Sequence, residues 1–176
     1  PKLRSIVETA LMDMIEDGSA QDAVIAQNES QRRTMWERRE AYAEITLGIA
    51  GSIDTDIAVP LDNVPIFLEQ VSSRVKEIDP TGEELYISHL GDGNLHYTFY
   101  PTDTSGPLKE PITEAIEDVV LALNGSFSAE HGIGLSKKSS MARRKDPIAL
   151  EMMSAIKTAF DPKNLMNPGK VYPEKG

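Results

Sequence analysis

The sequence predicts an α+β fold in which an antiparallel sheet carries helices packed on one face. Helical periodicity recurs in five stretches, and two adjacent strand-like runs, 85–88 and 97–100, flank a glycine-rich segment. Strands joined by a short turn run antiparallel, and helices that return across one face of such a sheet complete a two-layer domain. With 176 residues, of which 40% are hydrophobic and 26% charged, we expect a single domain over residues 1–176.

The predicted order of elements is α-β-α-β-α-β-β-α-β-α. Apolar residues at three- and four-residue spacing predict helices, with Ser30, Asp62 and Asp146 as N-caps and Asn124-Gly125 as a left-handed C-cap. Alternating or continuous apolar runs rich in β-branched residues predict the strands. The helices are expected at 3–15, 30–47, 62–78, 111–123 and 146–160, and the strands at 22–26, 53–59, 85–88, 97–100 and 126–129.

Composition narrows the classes of function. A net charge of -10 argues against a nucleic-acid partner, and the basic residues from Lys137 to Arg144 are the one local exception. No apolar run approaches the ~20 residues of a membrane span, so we expect a cytoplasmic protein with no membrane span. There are no cysteines, so a metal would be held by nitrogen and oxygen. The chain begins with proline, which suggests a processed chain or a fragment.

Two of the three histidines, His89 and His96, flank Leu-Gly-Asp-Gly-Asn-Leu. Asp92-Gly93 favours a two-residue hairpin turn, which would pair residue 91 with 94, 90 with 95 and 89 with 96. The two imidazoles would then lie on one face of the sheet with Cβ atoms roughly 5 Å apart, a spacing that suits one metal ion. The alternative is a pair of hydrogen-bonded surface histidines on an ordinary hairpin.

The third histidine follows a carboxylate in Glu130-His131-Gly132-Ile133-Gly134. In an extended backbone neighbouring side chains point in opposite directions, so one of the pair would face the His89/His96 metal and the other a different compartment. Two histidines and one carboxylate leave coordination positions open, as in catalytic zinc sites, and manganese or iron would also accept this set. The alternative is that Glu130 and His131 form only a local hydrogen-bonded pair.

Three segments together resemble the signatures of the C-terminal domain of FAD-linked oxidases of the vanillyl-alcohol-oxidase type. They are 89–96, 130–134 and 161–170, the last with Asp161-Pro162 and Asn167-Pro168-Gly169-Lys170. Trp36 to Glu40 and Asp56 to Pro60 resemble two further elements, in family order. This family includes D-lactate dehydrogenase, the glycolate oxidase FAD subunit and D-2-hydroxyglutarate dehydrogenase. The resemblance implies a ferredoxin-like cap domain whose FAD-binding domain is absent from these residues.

The resemblance also implies roles for individual residues. His89, His96 and Glu130 would bind a divalent metal, Zn or Mn, and His131 would face the flavin as the catalytic base. Arg39 and Asn94 would hold the substrate carboxylate, and Asn167 and Lys170 would lie near the FAD.

The implied function is that of the substrate- and metal-binding domain of an FAD-dependent D-2-hydroxy-acid dehydrogenase acting on D-lactate, glycolate or a similar acid. Its partners would be the small 2-hydroxy acid, an FAD-binding domain or subunit and, as an open alternative, a second copy of the chain in a homodimer. Asp54 and Ala43 stand where dicarboxylate-specific members carry lysine and threonine, which counts against hydroxyglutarate. Two rival functions are a stand-alone metal-dependent hydrolase and a catalytically idle interaction domain.

Overall fold

A computed structural model describes residues 2–47, 49–171 and 173 of the chain, without the side chains of 43–47. The side chain of Ala43 therefore lies outside the described residues. The chain divides into two compact units, Pro1–Ile45 and Thr46–Gly176. A single domain over 1–176 stays a prediction. None of the described helices is both long enough and apolar enough to cross a membrane.

The first unit is helical. Helix α1 spans Lys2–Glu16 and α2 spans Glu29–Leu47, which confirms both predicted helices. The cap of α2 differs from the prediction, because the Asn28 side chain, rather than Ser30, accepts a hydrogen bond from Gln31 N at 3.0 Å. The predicted strand at 22–26 is wrong, since this run is irregular and Val24 is 74% exposed. A short apolar run forms a strand only where a neighbouring strand can pair with it.

The second unit is built on a three-stranded antiparallel sheet of order β1-β3-β2. Strand β1 spans Ile53–Ala58, β2 spans Glu83–His89 and β3 spans Asn94–Tyr100. Helix α3, Val64–Ile78, follows a 3-10 turn at Leu61–Asn63, and α4 spans Lys109–Ala122. Asp62 lies inside the 3-10 turn, and no side chain caps α3. Asn124 has φ 59, as the predicted left-handed C-cap requires.

The two faces of the sheet differ in chemistry. Ile57 pairs with Leu95, and Ile53 with Phe99, on the face that packs against Phe67 and Val71 of α3 and against α4. Because side chains alternate along a strand, the remaining residues lie on the opposite face, which we call the site face. The site face carries Asp54, Asp56 and Ala58 of β1, Leu85, Ile87 and His89 of β2, and Asn94, His96, Thr98 and Tyr100 of β3.

This architecture confirms the predicted α+β class, with an antiparallel sheet and helices packed on one face. The predicted fourth strand at 126–129 is reduced to one antiparallel bridge between Ser126 and Ala58. The order β1-α3-β2-β3-α4 followed by that bridge beside β1 is the ferredoxin-like arrangement with its last strand shortened. From Phe127 onwards the backbone bends, and this bend brings the 129–131 segment back towards β1.

Two further helices follow the bend. Helix α5 spans Lys138–Arg144, a segment without a predicted helix, and α6 spans Pro147–Phe160, with Asp146 capping it through Ala149 N at 2.9 Å. Arg144 of α5 reaches the buried Glu117 of α4 at 3.0 Å, and Arg143 reaches Glu110 at 2.8 Å. The basic run noted in the sequence therefore serves, at these two arginines, to pair α5 with α4.

Candidate metal and substrate site

The hairpin brings His89 and His96 to the site face, although in a different register from the predicted one. His89 pairs with Asn94 and Ile87 with His96, so a four-residue turn at 90–93 replaces the two-residue turn. The strands are shifted by two residues in total, which preserves the face of every side chain. The histidines are diagonal neighbours rather than directly opposite, with ring centroids 5.2 Å apart.

Glu130 and His131 both converge on His96. Glu130 Oε1 lies 3.2 Å from His96 Nε2 and 3.6 Å from His131 Nε2, and the His131 ring stacks on the His96 ring at 5.2 Å between centroids. The expectation that Glu130 and His131 face different compartments is therefore wrong. It assumed an extended backbone, whereas residues 129–131 form bends, in which neighbouring side chains no longer alternate.

The donor set fits a divalent metal. Two ligand atoms about 2.1 Å from one ion at tetrahedral angles are roughly 3.4 Å apart, which is close to the 3.2 Å between His96 Nε2 and Glu130 Oε1. Among the described residues, one nitrogen or oxygen each of Asp56, His96, Glu130 and His131 lie within 4.8 Å of one another. This group shares His96 and Glu130 with the predicted ligand set, and His89 stands beside it on the hairpin.

The environment of His96 favours the neutral ring that a metal needs. Its side chain is 18% exposed. Burial lowers the pKa of His96 and the proximity of His131 lowers it further, against the opposing charge of Glu130. A lowered pKa favours an unprotonated ring nitrogen at neutral pH, which is the form that binds a metal.

Asp56 is the residue of this cluster for which the sequence predicted no role. It pairs with His96 across the sheet and is 2% exposed. Burial raises the pKa of Asp56, but hydrogen bonds from His131 N and Lys137, together with the charge of Lys137 and the Glu130 N–H, outweigh it and bring the pKa to about 2. An available signal was the alternation in β1, which places Asp54 and Asp56 on the face opposite to Ile53 and Ile57.

Two residues predicted to bind substrate lie in different units. Asn94 is 5% exposed and donates from Nδ2 to Asp56 Oδ1 at 3.2 Å, whereas its Oδ1 is buried without a hydrogen-bond partner among the described residues. Arg39 lies on α2 of the first unit, with its guanidinium carbon 5.8 Å from the Trp36 ring centroid. Substrate binding by Asn94 and Arg39 stays a prediction.

The C-terminal segment is hydrogen-bonded to the region of the chain that follows His131. Val171 N donates to Gly134 O at 2.9 Å, and Lys138 Nζ donates to Gly169 O at 2.8 Å. Asn167 has φ 46, and its carbonyl accepts from Lys170 N at 3.3 Å. The two residues predicted near the flavin, Asn167 and Lys170, therefore belong to a turn next to the 132–134 loop.

Fold and site together define a class: an α+β domain with a His/Glu candidate metal site on the face of its sheet opposite α3 and α4. The chain belongs to the family described as FAD linked oxidases, C-terminal domain, which it matches over residues 2–171. The resemblance recognised in the sequence is thereby confirmed.

Named relatives agree with this family. The chain is 34% identical over 163 residues to D-2-hydroxyglutarate dehydrogenase of Stutzerimonas stutzeri (strain A1501), covering 90% of the chain and 35% of that protein. It is 34% identical over 168 residues to a probable mitochondrial D-2-hydroxyglutarate dehydrogenase of Oryza sativa subsp. indica, covering 96% and 30%. It is 32% identical over 165 residues to a probable mitochondrial D-lactate dehydrogenase of Danio rerio, covering 90% and 33%. The chain thus spans about a third of the length of these relatives.

Proposed function

We propose that this chain is the substrate- and metal-binding domain of an FAD-dependent D-2-hydroxy-acid dehydrogenase. The observation that carries the proposal is the position of the Glu130 carboxylate, 3.2 Å from His96 Nε2 and 3.6 Å from His131 Nε2 on the site face. This arrangement unites a candidate metal ligand set with a further imidazole. The relatives are named as dehydrogenases of D-2-hydroxyglutarate and D-lactate, and these names indicate the substrate class.

His89, His96 and Glu130 would hold the divalent metal, Zn or Mn. Two imidazoles and a carboxylate are ligands that both ions accept, and three protein ligands leave room for a substrate. A metal bound there would polarise the hydroxyl and carboxylate of the 2-hydroxy acid. Burial of His96 on the sheet keeps that ring neutral, while Glu130 and His131, 48% and 61% exposed, remain accessible to a small molecule.

His131 would act as the base. Its Nε2 would accept the proton of the substrate hydroxyl at the edge of the metal centre, which is a common task for an imidazole at neutral pH. Arg39 would bind the substrate carboxylate with its planar guanidinium. Asn94 would donate to that carboxylate the side-chain N–H that does not bind Asp56. FAD, when bound by the remaining part of the protein or by a separate subunit, would supply the hydride acceptor. The exposed Lys170 and the adjacent Asn167 would face that cofactor.

The substrate is expected to be D-lactate, glycolate or a similar monocarboxylic acid. Asp54 lies on the site face two positions before Asp56, roughly 7 Å along the strand. Its carboxylate accepts hydrogen bonds from Ser52 and Thr98 at 2.8 and 2.9 Å. A second substrate carboxylate directed along β1 would meet this negative charge, which disfavours a dicarboxylic acid.

The test is anaerobic reduction of the flavin in the holoenzyme, together with measurement of its metal content. Bleaching of the flavin by D-lactate or glycolate, more efficiently than by D-2-hydroxyglutarate, is the expected result. His89→Ala and His96→Ala should each lower the bound metal and kcat/KM at least tenfold. Glu77→Gln, at an exposed pair with Arg74 on α3, is the surface control.

Two results would contradict the proposal. A purified holoenzyme without a divalent ion, in which His89→Ala changes nothing, would remove the metal centre. Hydrolysis of an ester or amide in the absence of any flavin would favour the metal-dependent hydrolase. Cytoplasmic location and a homodimer stay predictions, to be checked by fractionation and by the mass of the protein in solution.

A further inference from the structure

Asp56 is a heavily hydrogen-bonded side chain of the site face. Its oxygens accept from one side-chain amide, three consecutive backbone N–H groups and one ammonium group. The donors are Asn94 Nδ2 at 3.2 Å, Ala129 N at 3.2 Å, Glu130 N at 3.1 Å, His131 N at 2.9 Å and Lys137 Nζ at 3.1 Å. The three N–H groups belong to the bend that carries Glu130 and His131.

This number of donors excludes Asp56 as a metal ligand. A carboxylate offers about four lone-pair positions, and five donors already share them. Coordination of an ion would require the Asp56 carboxylate to release the part-buried N–H groups of Glu130 and His131, and each unpaired N–H would cost free energy. Asp56 therefore contributes to the site through Glu130 and His131, although one of its oxygens lies within 4.8 Å of a candidate ligand atom of each.

We propose that Asp56 is the positioning residue of the site. By binding the N–H groups of residues 129–131, it fixes the positions of Glu130 as a metal ligand and His131 as the base. Lys137 in turn holds Asp56 in place. The proposal rests on the proposed function for the roles of Glu130 and His131. Since β1 and β3 are paired at Asp56 and His96, the same contact also sets the bend relative to the hairpin.

Lys137 links Asp56 to the bend through a second set of hydrogen bonds. Its Nζ donates to Asp56 Oδ2 at 3.1 Å and to Ser128 Oγ at 2.9 Å, and Ser128 Oγ donates to Gly132 O at 3.0 Å. The bend is thus tied on both sides of Glu130-His131. Lys137 is 18% exposed at its side chain, so its charge is only partly screened by water.

The experiment compares Asp56→Asn with Asp79→Asn in the holoenzyme. Asp79 is a matched control because it is also buried and accepts backbone and hydroxyl hydrogen bonds from Thr102 at 2.7 and 2.9 Å, away from the site face. Zinc affinity is measured by chelator competition after removal of bound metal, and amide hydrogen exchange of the 129–131 peptide is measured in the metal-free protein. Steady-state kinetics separate kcat from KM.

For Asp56→Asn we expect zinc affinity to fall 10- to 100-fold, kcat to fall more than KM rises, and exchange at 129–131 to accelerate. Asp79→Asn should leave all three readouts near those of the parent protein. If Asp56→Asn fails to fold, Lys137→Met replaces it. We expect smaller changes of the same sign in zinc affinity, kcat and amide exchange. Lys137→Arg, which keeps the charge, should restore the values of the parent protein.

The proposal is overturned if Asp56→Asn has the same zinc affinity and kcat as the control, while the parent protein binds zinc and reduces its flavin. The same criterion applies to Lys137→Met where that variant is used. That result leaves the proposed function intact. A parent protein that binds neither zinc nor manganese overturns both proposals. A lower metal affinity of His96→Ala in the same assay shows that the metal centre itself is present.

Discussion

Replacement of Gly93 by alanine should destabilise the chain at the hairpin end of the site. Gly93 has φ +74, and a Cβ at this position would lie 2.1 Å from the carbonyl oxygen of Val59. The turn and the end of β1 are in direct contact here, since Val59 N also donates to Gly93 O at 3.1 Å. The turn therefore has to move away from β1, or the backbone has to leave its left-handed conformation.

The expected loss of stability follows from two contributions. An alanine in the left-handed region costs about 1 to 2 kcal/mol, and relief of a tight clash in a packed region costs about 1 to 3 kcal/mol. With partial relaxation the free energy of unfolding should fall by roughly 2 to 4 kcal/mol. At a urea m-value of about 2 kcal/mol/M this lowers the unfolding midpoint by about 1 to 2 M.

Urea unfolding of the 176-residue chain, followed by circular dichroism, measures this difference. Gly91→Ala is the matched control, because Gly91 lies in the same turn and a Cβ there would meet nothing within 4 Å. Equal midpoints for Gly93→Ala and Gly91→Ala would refute the assigned turn geometry. Weaker zinc binding in Gly93→Ala alone would link the turn to the separation of His89 and His96.

Three other predictions concern the packing, the tail and the metal. Glu117→Ala should lower the free energy of unfolding by about 2 to 3 kcal/mol in urea, because it leaves Arg144 without its buried partner, whereas Glu110→Ala at an exposed pair should cost under about 1 kcal/mol. Lys157 and the Leu165 and Met166 N–H groups lower the pKa of Asp161 from 3.8 to about 2. The ionised Asp161 therefore stabilises the fold fully above pH 3.8, and this stabilisation is lost as the pH falls through about 2. In an acid titration, Asp161→Asn should lose less stability than the parent protein between these two pH values. Zinc at 100 times its Kd should raise the free energy of unfolding by about 2.7 kcal/mol, and EDTA should reverse the accompanying rise in Tm unless the site binds no metal.

The sequence by itself determined the class of fold, the shared face of His89 and His96 and the family. Alternation and helical periodicity are local properties, so they predicted β1, the hairpin strands and five helices from neighbouring residues alone. The motifs at 89–96 and 130–134 pointed to the residues that meet at the site. Because a shift of two residues preserves the side-chain face, His89 and His96 reached one face in spite of the wrong register.

Only the tertiary structure decided the register, the extent of the fourth strand and the role of Asp56. The turn at 90–93 depends on the contact of Gly93 with Val59, which no local pattern contains. Residues 129–131 bend because their N–H groups find the Asp56 carboxylate, more than seventy positions earlier in the chain, instead of a neighbouring strand. Long-range hydrogen bonding of this kind overrides local strand preference, and it brings Glu130 and His131 to the same histidine.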